Sequence, residues 1–354
     1  MSRLSDYVTY REYHGQTFIL DTRQHLSFRI EAPVAKLLDL FREDTTAEAA
    51  LERLATRHPA VPRQVLADDV AAAASFLADN RLLAGETYEG SPREAHTNTC
   101  YFQRYTIREK LLYAALLEVT YRCPERCVHC YLEPAALSER YAADRERELT
   151  TEEICGLLDQ LAALNVMDVT FTGGEPFVRS DMFDILAHAH SKGLAIQIFS
   201  NGILLEDPNL QRLAGLRLLC FHSSLYSHIP EKHDQITGVK GSFDKTVHVL
   251  RTLSEQGVYV NFKFVLMEQN KEDFPGVIEL ARRIGASVQL ISSVSPSARG
   301  ACAITELGVR RDEDLMGAIK QWNLLPGRSH LRGGAEQPQH RPLRDGHPLQ
   351  RLPV

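Results

Sequence analysis

From about residue 113 onward, short apolar runs alternate with stretches whose apolar residues recur every three or four positions. The runs are "ALLEVT" (115–120), "VMDVTFT" (166–172), "LAIQIFS" (194–200), "RLLCFHSSL" (217–225), "VYVNFKFVLM" (258–267) and "ASVQLIS" (286–292). Between them lie "LTTEEICGLLDQLAAL", "DMFDILAHAHSKG", "NLQRLAGL", "SFDKTVHVLRTLSEQG" and "DFPGVIELARRIG". Runs of this length separated by helical periods predict strands and helices in alternation, six βα-type units in all. The expected architecture is α/β, a parallel sheet curled into a full or partial barrel, with chemistry at the C-terminal strand ends.

The first 90 residues are patterned differently. In "HLSFRI", Leu26, Phe28 and Ile30 share one strand face, and Gly15 in "YHGQ" offers a hairpin turn. Three helical segments follow. The second opens on a capping-box pattern, Thr45-x-x-Glu48, and the third repeats Leu66, Val70, Ala73 and Leu77 at helical spacing. A small sheet followed by three short helices predicts a winged-helix-like α+β domain. The expected division is therefore 1–90 for this domain, 91–112 for a polar linker, 113–310 for the barrel and 311–354 for a C-terminal segment. From 326 onward that segment has five prolines, four glycines, five arginines and no aromatic residue, so it is expected to be disordered. The abrupt change is consistent with a truncated or frameshifted end of a longer enzyme. His330, His340 and His347 are spaced too irregularly to argue a metal site.

Composition narrows the classes. The chain has 354 residues, 44% hydrophobic and 24% charged, as in ordinary globular proteins. Forty basic residues against 46 acidic ones give a net charge of −6, which argues against a general nucleic-acid binder. No apolar run is long enough for a bilayer, and the N-terminus lacks the apolar core of a signal peptide. A cytoplasmic location is expected, with no membrane partner. Seven cysteines in such a chain are expected to be reduced, which favours metal or catalytic use. Cys100, in the linker, reads as an incidental thiol.

Three of the seven stand in "CPERCVHC" (123–130), on the loop after the first barrel strand. Three is too few for a closed structural zinc site and odd for disulfides. Thiolates spaced C-x3-C-x2-C can hold three corners of a 4Fe–4S cube, leaving one iron open to an outside ligand. The competing reading is a zinc site of Cys123, Cys127 and Cys130 with His129 or a distant histidine. His129 adjoins Cys130, an awkward geometry for joint tetrahedral ligation, and zinc leaves the next motif unexplained.

That motif is "FTGGEP", one βα unit later. The two motifs in this order, over residues 113 to about 305, resemble the radical S-adenosylmethionine (radical SAM) superfamily. The resemblance implies that SAM chelates the open iron and is cleaved by one electron from the cluster, and that the resulting 5′-deoxyadenosyl radical abstracts a substrate hydrogen. It further implies that Cys123, Cys127 and Cys130 are the cluster ligands and catalytic residues. Gly173, Gly174, Glu175 and Pro176 would meet the SAM amino group through the backbone. Ser200 and Asn201 in "FSNG" would meet its ribose and carboxylate region, and Ser224 in "SSLY" its sugar or carboxylate. The alternative for "FSNG" is an ordinary strand-ending turn closed by Gly202. Lys263, between Phe262 and Phe264, points either into the barrel toward the SAM carboxylate or to the outer pleat. Arg299 in "SPSARG" reads as a solvated loop arginine. "YSHIPEKHDQITGVKGSFDKT" is similar to a stretch of the peptide-modifying members.

Residues 5–87 resemble the PqqD-like peptide-recognition element of enzymes that mature ribosomally made peptides. The resemblance implies that a precursor's leader is bound as an added strand on the sheet edge. A DNA-binding winged helix fits less well, because Asp68, Asp69 and Asp79 give the third helix the wrong sign for phosphates. The chain departs from many peptide-modifying members by lacking a cysteine-rich (SPASM-type) extension, since its only cysteine after 220 is Cys302. The leading expectation is a radical SAM enzyme that modifies a leader-bound precursor peptide, reduced by a donor such as flavodoxin or ferredoxin. Alternatives are a radical SAM enzyme for a protein or small molecule, an impaired maturase, a zinc-stabilised carrier, and a redox-sensing DNA regulator.

Overall fold

The computed structural model describes residues 3–23, 26–30, 32–85, 105–132, 148–297 and 302–309. The expected linker for the most part, Cys100, Arg299 and the segment from 310 onward, with its three histidines, lie outside the described residues. The chain divides into two compact units, one within residues 1–111 and one within 112–325.

In the first unit, β1 (Val8–Tyr13), β2 (Gln16–Asp21) and β3 (Leu26–Ile30) form an antiparallel sheet in the order β1-β2-β3. The β1–β2 register closes on Tyr13 opposite Gln16. His14 and Gly15 between them both have positive φ, 49° and 74°, the combination that a two-residue type I′ hairpin needs. Helices α1 (Ala32–Ala35), α2 (Ala47–Arg57) and α3 (Arg63–Asp79) follow. The expected Thr45–Glu48 capping box does not form. Thr46 is the N-cap, its hydroxyl accepting from the Ala49 amide, and with alanine at the third helical position nothing can reciprocate. Glu48 pairs instead with Arg63. Leu66, Val70, Ala73 and Leu77 of α3 are buried, packed in one cluster with Ile19, Leu37, Phe41 and Leu54.

The second unit is built on six parallel strands in chain order. They are β4 (Ala114–Thr120), β5 (Asp168–Gly173), β6 (Ala195–Phe199), β7 (Cys220–Ser224), β8 (Val260–Val265) and β9 (Ser287–Ile291). Between them run α4 (Thr151–Ala163), α5 (Met182–Ser191), α6 (Asp207–Gly215), α7 (Pro230–Thr237), α8 (Ser242–Glu255) and α9 (Phe274–Ile284). Right-handed crossovers between strands that never reverse order place α4, α5, α6, α8 and α9 on the same face of the sheet.

Strand residues alternate accordingly. Phe171, Ile198, Phe221, Phe262 and Phe264 are buried against Leu158, Leu186, Leu250 and Val277, and each such burial is worth roughly 1.5–3 kcal/mol. The opposite parity, on the inner face, carries Asp168, Gln197, His222, Asn261, Lys263 and Ser287, with Phe199 and Cys220 among them. This parallel six-stranded α/β sheet agrees with a radical SAM partial barrel and matches the strands read from the sequence. Helix α7 was not anticipated. It is short and polar, with proline at its start and Gly238 in the left-handed region at its end, and only Ile236 gives it an apolar mark.

Candidate functional site

The three cysteines lie on the loop that leaves β4, at the C-terminal end of the sheet, and each is half-buried. The loop is held from two sides. On one, the amides of Arg126 and Val128 donate to the carbonyls of Thr237 and Ile236 at the end of α7, at 2.8 and 3.0 Å. On the other, the Gly174 amide donates to the Thr120 carbonyl at 2.7 Å and the Glu175 amide to the Arg122 carbonyl at 2.8 Å.

The second bracket explains both glycines. Gly173 has φ +137°, and a Cβ there would lie 2.0 Å from the Thr120 oxygen; one on Gly174 would lie 2.4 Å from the Arg122 oxygen. No side chain fits between the strand end and the loop. The Glu175 carboxylate is fully buried. It accepts from the Phe177 amide (3.0 Å), the Asn201 amide (2.8 Å) and the Ser200 hydroxyl (2.9 Å), and burial pushes its pKa up to about 7. Pro176 starts the short 3-10 turn that Glu175 caps. Arg179, buried just beyond, donates to the Val119 and Leu149 carbonyls and pairs with Asp181. It pins the base of the loop, and sequence reading passed over it.

At the end of β6 the predicted pair divides its labour. The Ser200 hydroxyl is committed to Glu175 and accepts from the Gly202 amide. Asn201 faces the cysteines, its Nδ2 3.6 Å from the Cys123 sulfur. Glu125, buried inside the loop, accepts from the Cys127 thiol at 3.4 Å. Its carboxyl is pushed up to about 7, chiefly by burial. Ser224 ends β7 in register with Lys263 on β8.

Lys263 is on the inner face, since Phe262 and Phe264 are the residues buried against the helices. Its ammonium rests on the Phe199 ring, 3.0 Å from the centroid, and desolvation lowers its pKa to about 8. Deeper on the same face, side chains from five successive strands form one chain. Gln197 donates to Asp168 (3.0 Å), His222 lies between Gln197 (3.2 Å) and Asn261 (3.3 Å), and Asn261 donates to Ser287 (2.6 Å). A cavity of about 420 Å³ runs along β4, between Leu116, Glu118, Glu148 and Leu157.

The donor set suits an iron–sulfur group. Three thiols sit on one loop, none in a disulfide, near enough that Cys130 adds to the upward shift of both Cys123 and Cys127. Burial alone makes an uncompensated thiolate unfavourable: the Cys123 thiol is pushed up to about 12. A cationic metal group offsets that penalty. The buried Nδ1 of His129, on the same loop, has no hydrogen-bond partner. Among the described residues, no three His, Cys, Asp or Glu side chains converge on one metal-ion position, as mononuclear zinc requires. A cube gives each thiolate its own iron and makes no such demand.

Comparison with known proteins agrees with this chemistry. Residues 117–281 match the radical SAM superfamily. The chain is 34% identical over 162 residues to Fe-coproporphyrin III synthase of Methanosarcina barkeri, covering 46% of this chain and 39% of that protein. It is 32% identical over 179 residues to PqqA peptide cyclase of Granulibacter bethesdensis, covering 51% and 46%. The chain thus spans less than half the length of these curated relatives. The structure of Streptococcus suis SuiB bound to S-adenosylmethionine aligns with TM-score 0.54 and 15% identity over 91% of this chain and 70% of that one, a likeness of fold. The matched residues lie within the second unit, and membership of that superfamily would imply a 4Fe–4S cluster and SAM as cofactors. No described helix is long and apolar enough to cross a membrane.

Proposed function

We propose that this chain is a radical SAM enzyme that modifies a ribosomally synthesised precursor peptide. The observation that carries the reading is the three-thiol loop, clamped at the C-terminal end of a parallel sheet. Cys123, Cys127 and Cys130 would hold the cluster, which with bound SAM supplies the one-electron cleavage that yields a hydrogen-abstracting radical.

The remaining roles belong to the chain's own groups. The Gly174 and Glu175 amides are spent on the loop, so an ammonium group brought to Gly173–Pro176 is met by carbonyl oxygens, the acceptors it needs. The Asn201 amide donates toward the Cys123 sulfur. Ser224 and Lys263 supply a donor and a cation on the inner face, while Ser200 keeps Glu175 in place. The polar side chains on the inner face suit a substrate with polar groups entering from the strand ends.

On this reading the first unit is a PqqD-like, winged-helix peptide-recognition domain over residues 1–90, with an edge strand of its sheet, β1 or β3, open to an added leader strand. The order of three strands then helices supports it. So do the PqqA peptide cyclase relative and the fold likeness to SuiB, one of whose structures holds the precursor peptide SuiA at TM-score 0.54. A cytoplasmic location and a flavodoxin- or ferredoxin-type donor belong to the same proposal. The Methanosarcina relative, named for a porphyrin product, favours a second reading in which the substrate is a small molecule.

The test is 5′-deoxyadenosine formation after anaerobic iron–sulfide reconstitution with a strong reductant, for wild type and Cys127→Ala. The expected result is product from wild type and none from the variant. A candidate peptide and a candidate porphyrin are then compared for consumption coupled to that product. A colourless, zinc-loaded wild-type protein overturns the radical reading; coupled turnover of the porphyrin alone overturns the peptide.

A further inference from the structure

The segment from Tyr226 to Phe243, whose Ile236 and Thr237 carbonyls receive the loop's amides, makes further contacts with the cysteine loop. We propose that it is the loop's clamp, and that His233 is a positioning residue which, through Tyr226, sets where Cys127 and His129 sit. The inference rests on reading that loop as the cluster site.

Four contacts build the clamp. The Tyr226 amide donates to Nδ1 of His233 at 3.2 Å, so the proton of the neutral imidazole is on Nε2. The two rings stack, with centroids 5.5 Å apart and 22° between planes. On its other side Tyr226 meets His129 edge-on, at 4.6 Å and 72°. Tyr226 is also the centre of a small apolar cluster with Ile236, Met267 and Val294, against which Cys127 packs. One backbone hydrogen bond to His233 thus helps to fix a residue whose ring meets His129 and whose cluster packs against Cys127. Asn270, fully buried, holds the same residue from behind by donating to the Tyr226 carbonyl at 3.0 Å.

The remainder of the segment keeps α7 in place. The Asp234 carboxylate accepts from the Gly241 amide (2.6 Å), the Ser242 hydroxyl (3.0 Å) and the Phe243 amide (2.9 Å). That carboxylate caps α8, whose own N-cap is a glycine without a side chain. The α7 end so anchored presents the Ile236 and Thr237 carbonyls that receive the loop's amides. Gly238, at φ +71°, leaves room for Arg126, which a Cβ there would approach to 3.2 Å. His233 is 1% exposed, touches none of the three thiols, and acts on them only through Tyr226.

Two substitutions separate its functions. His233→Phe keeps a ring for Tyr226 to stack on and removes the acceptor; His233→Asn keeps an acceptor near the place of Nδ1 and removes the ring. Each is reconstituted anaerobically, and three properties are read: melting temperature, rate of iron loss to a chelator, and the electron paramagnetic resonance spectrum of the reduced cluster with and without SAM. The expected result is ~10-fold or faster iron loss and a changed spectrum in His233→Phe, the usual scale for losing a group behind a metal ligand. His233→Asn should restore both in large part. Wild-type iron loss and spectrum in His233→Phe overturn the proposal. If that variant does not fold, Gly238→Ala tests the same clamp from the α7 end, and a wild-type spectrum there is equally fatal. Failure of the underlying reading looks different: wild type itself then builds no cluster.

Discussion

Asp168, at the start of β5, should make the second unit less stable as pH rises, and Asp168→Asn should abolish the effect. The carboxyl is 9% exposed, with Gln197 Nε2 as its hydrogen-bond donor at 3.0 Å. Burial, only partly offset by that bond, raises its pKa to about 6, against ~3.9 in an unfolded chain. Between those values the folded state binds more protons than the unfolded one, so stability is full below pH ~4 and is lost as pH rises through about 6. Two pH units are worth about 3 kcal/mol. Asparagine keeps the acceptor for Gln197 and carries no charge, so at pH 7.5 the variant should be more stable by up to that amount. In a domain of this size the gain is roughly 6–12 °C in melting temperature.

The assay is thermal unfolding of cluster-loaded wild type and variant under anaerobic conditions at half-unit steps from pH 4 to 8. The gap between them should open with rising pH and close below about pH 4. A variant less stable at pH 7.5, by an amount that pH does not alter, would refute the reasoning. A deficit that instead shrinks as pH falls would mean that the carboxylate is charge-compensated, and the candidate partner is His222. Both of its ring nitrogens face side-chain oxygens, of Gln197 and Asn261, an arrangement that a doubly protonated ring satisfies. Burial opposes that form, holding the His222 pKa down at about 3.

Gly173→Ala should lose the cluster in iron analysis and be destabilised by about 1–3 kcal/mol or more, since alanine combines a strained φ with a Cβ driven into the Thr120 carbonyl. Lys263→Met should raise stability at neutral pH. The lysine releases its proton at about 8 when folded and near 10.4 when unfolded. Wild-type stability should therefore climb between those values and the variant's should not, as denaturant titration can show. Asn201→Ala removes an N–H donor that lies 3.6 Å from the Cys123 sulfur. A potentiometric titration followed by electron paramagnetic resonance should give a more negative cluster potential, because such donors favour the reduced, more negative cluster.

Much of this protein was legible without coordinates because its signals are local. Strand–helix alternation depends on the period of apolar residues, and all six strands of the second unit lie inside the runs that showed it, to within one residue at either end. The thiol spacing names its chemistry because valence and count are properties of the residues themselves. The glycine pair announced a close approach, though not to what.

Local patterns failed where the deciding partner is distant in sequence. Nothing in "TTAE" says that Thr46 rather than Thr45 caps α2. Lys263 was ambiguous by alternation alone, and the helices packed on Phe262 and Phe264 decided that it faces inward. Ser200 and Glu175, 25 positions apart, looked like two ligand contacts and proved to be hydrogen-bonded to each other. Asp168, Gln197, His222, Asn261 and Ser287 are unremarkable singly and become a chain only when parallel pairing sets five strands side by side. His233 is the extreme case: one histidine in a polar stretch, whose position under Tyr226 and the cysteine loop exists only in the folded chain. Residue type and spacing thus determined the elements and the candidate metal chemistry. Only tertiary packing, which desolvates side chains and joins groups from separate strands, decided which polar residues hold the site together and which are left to act.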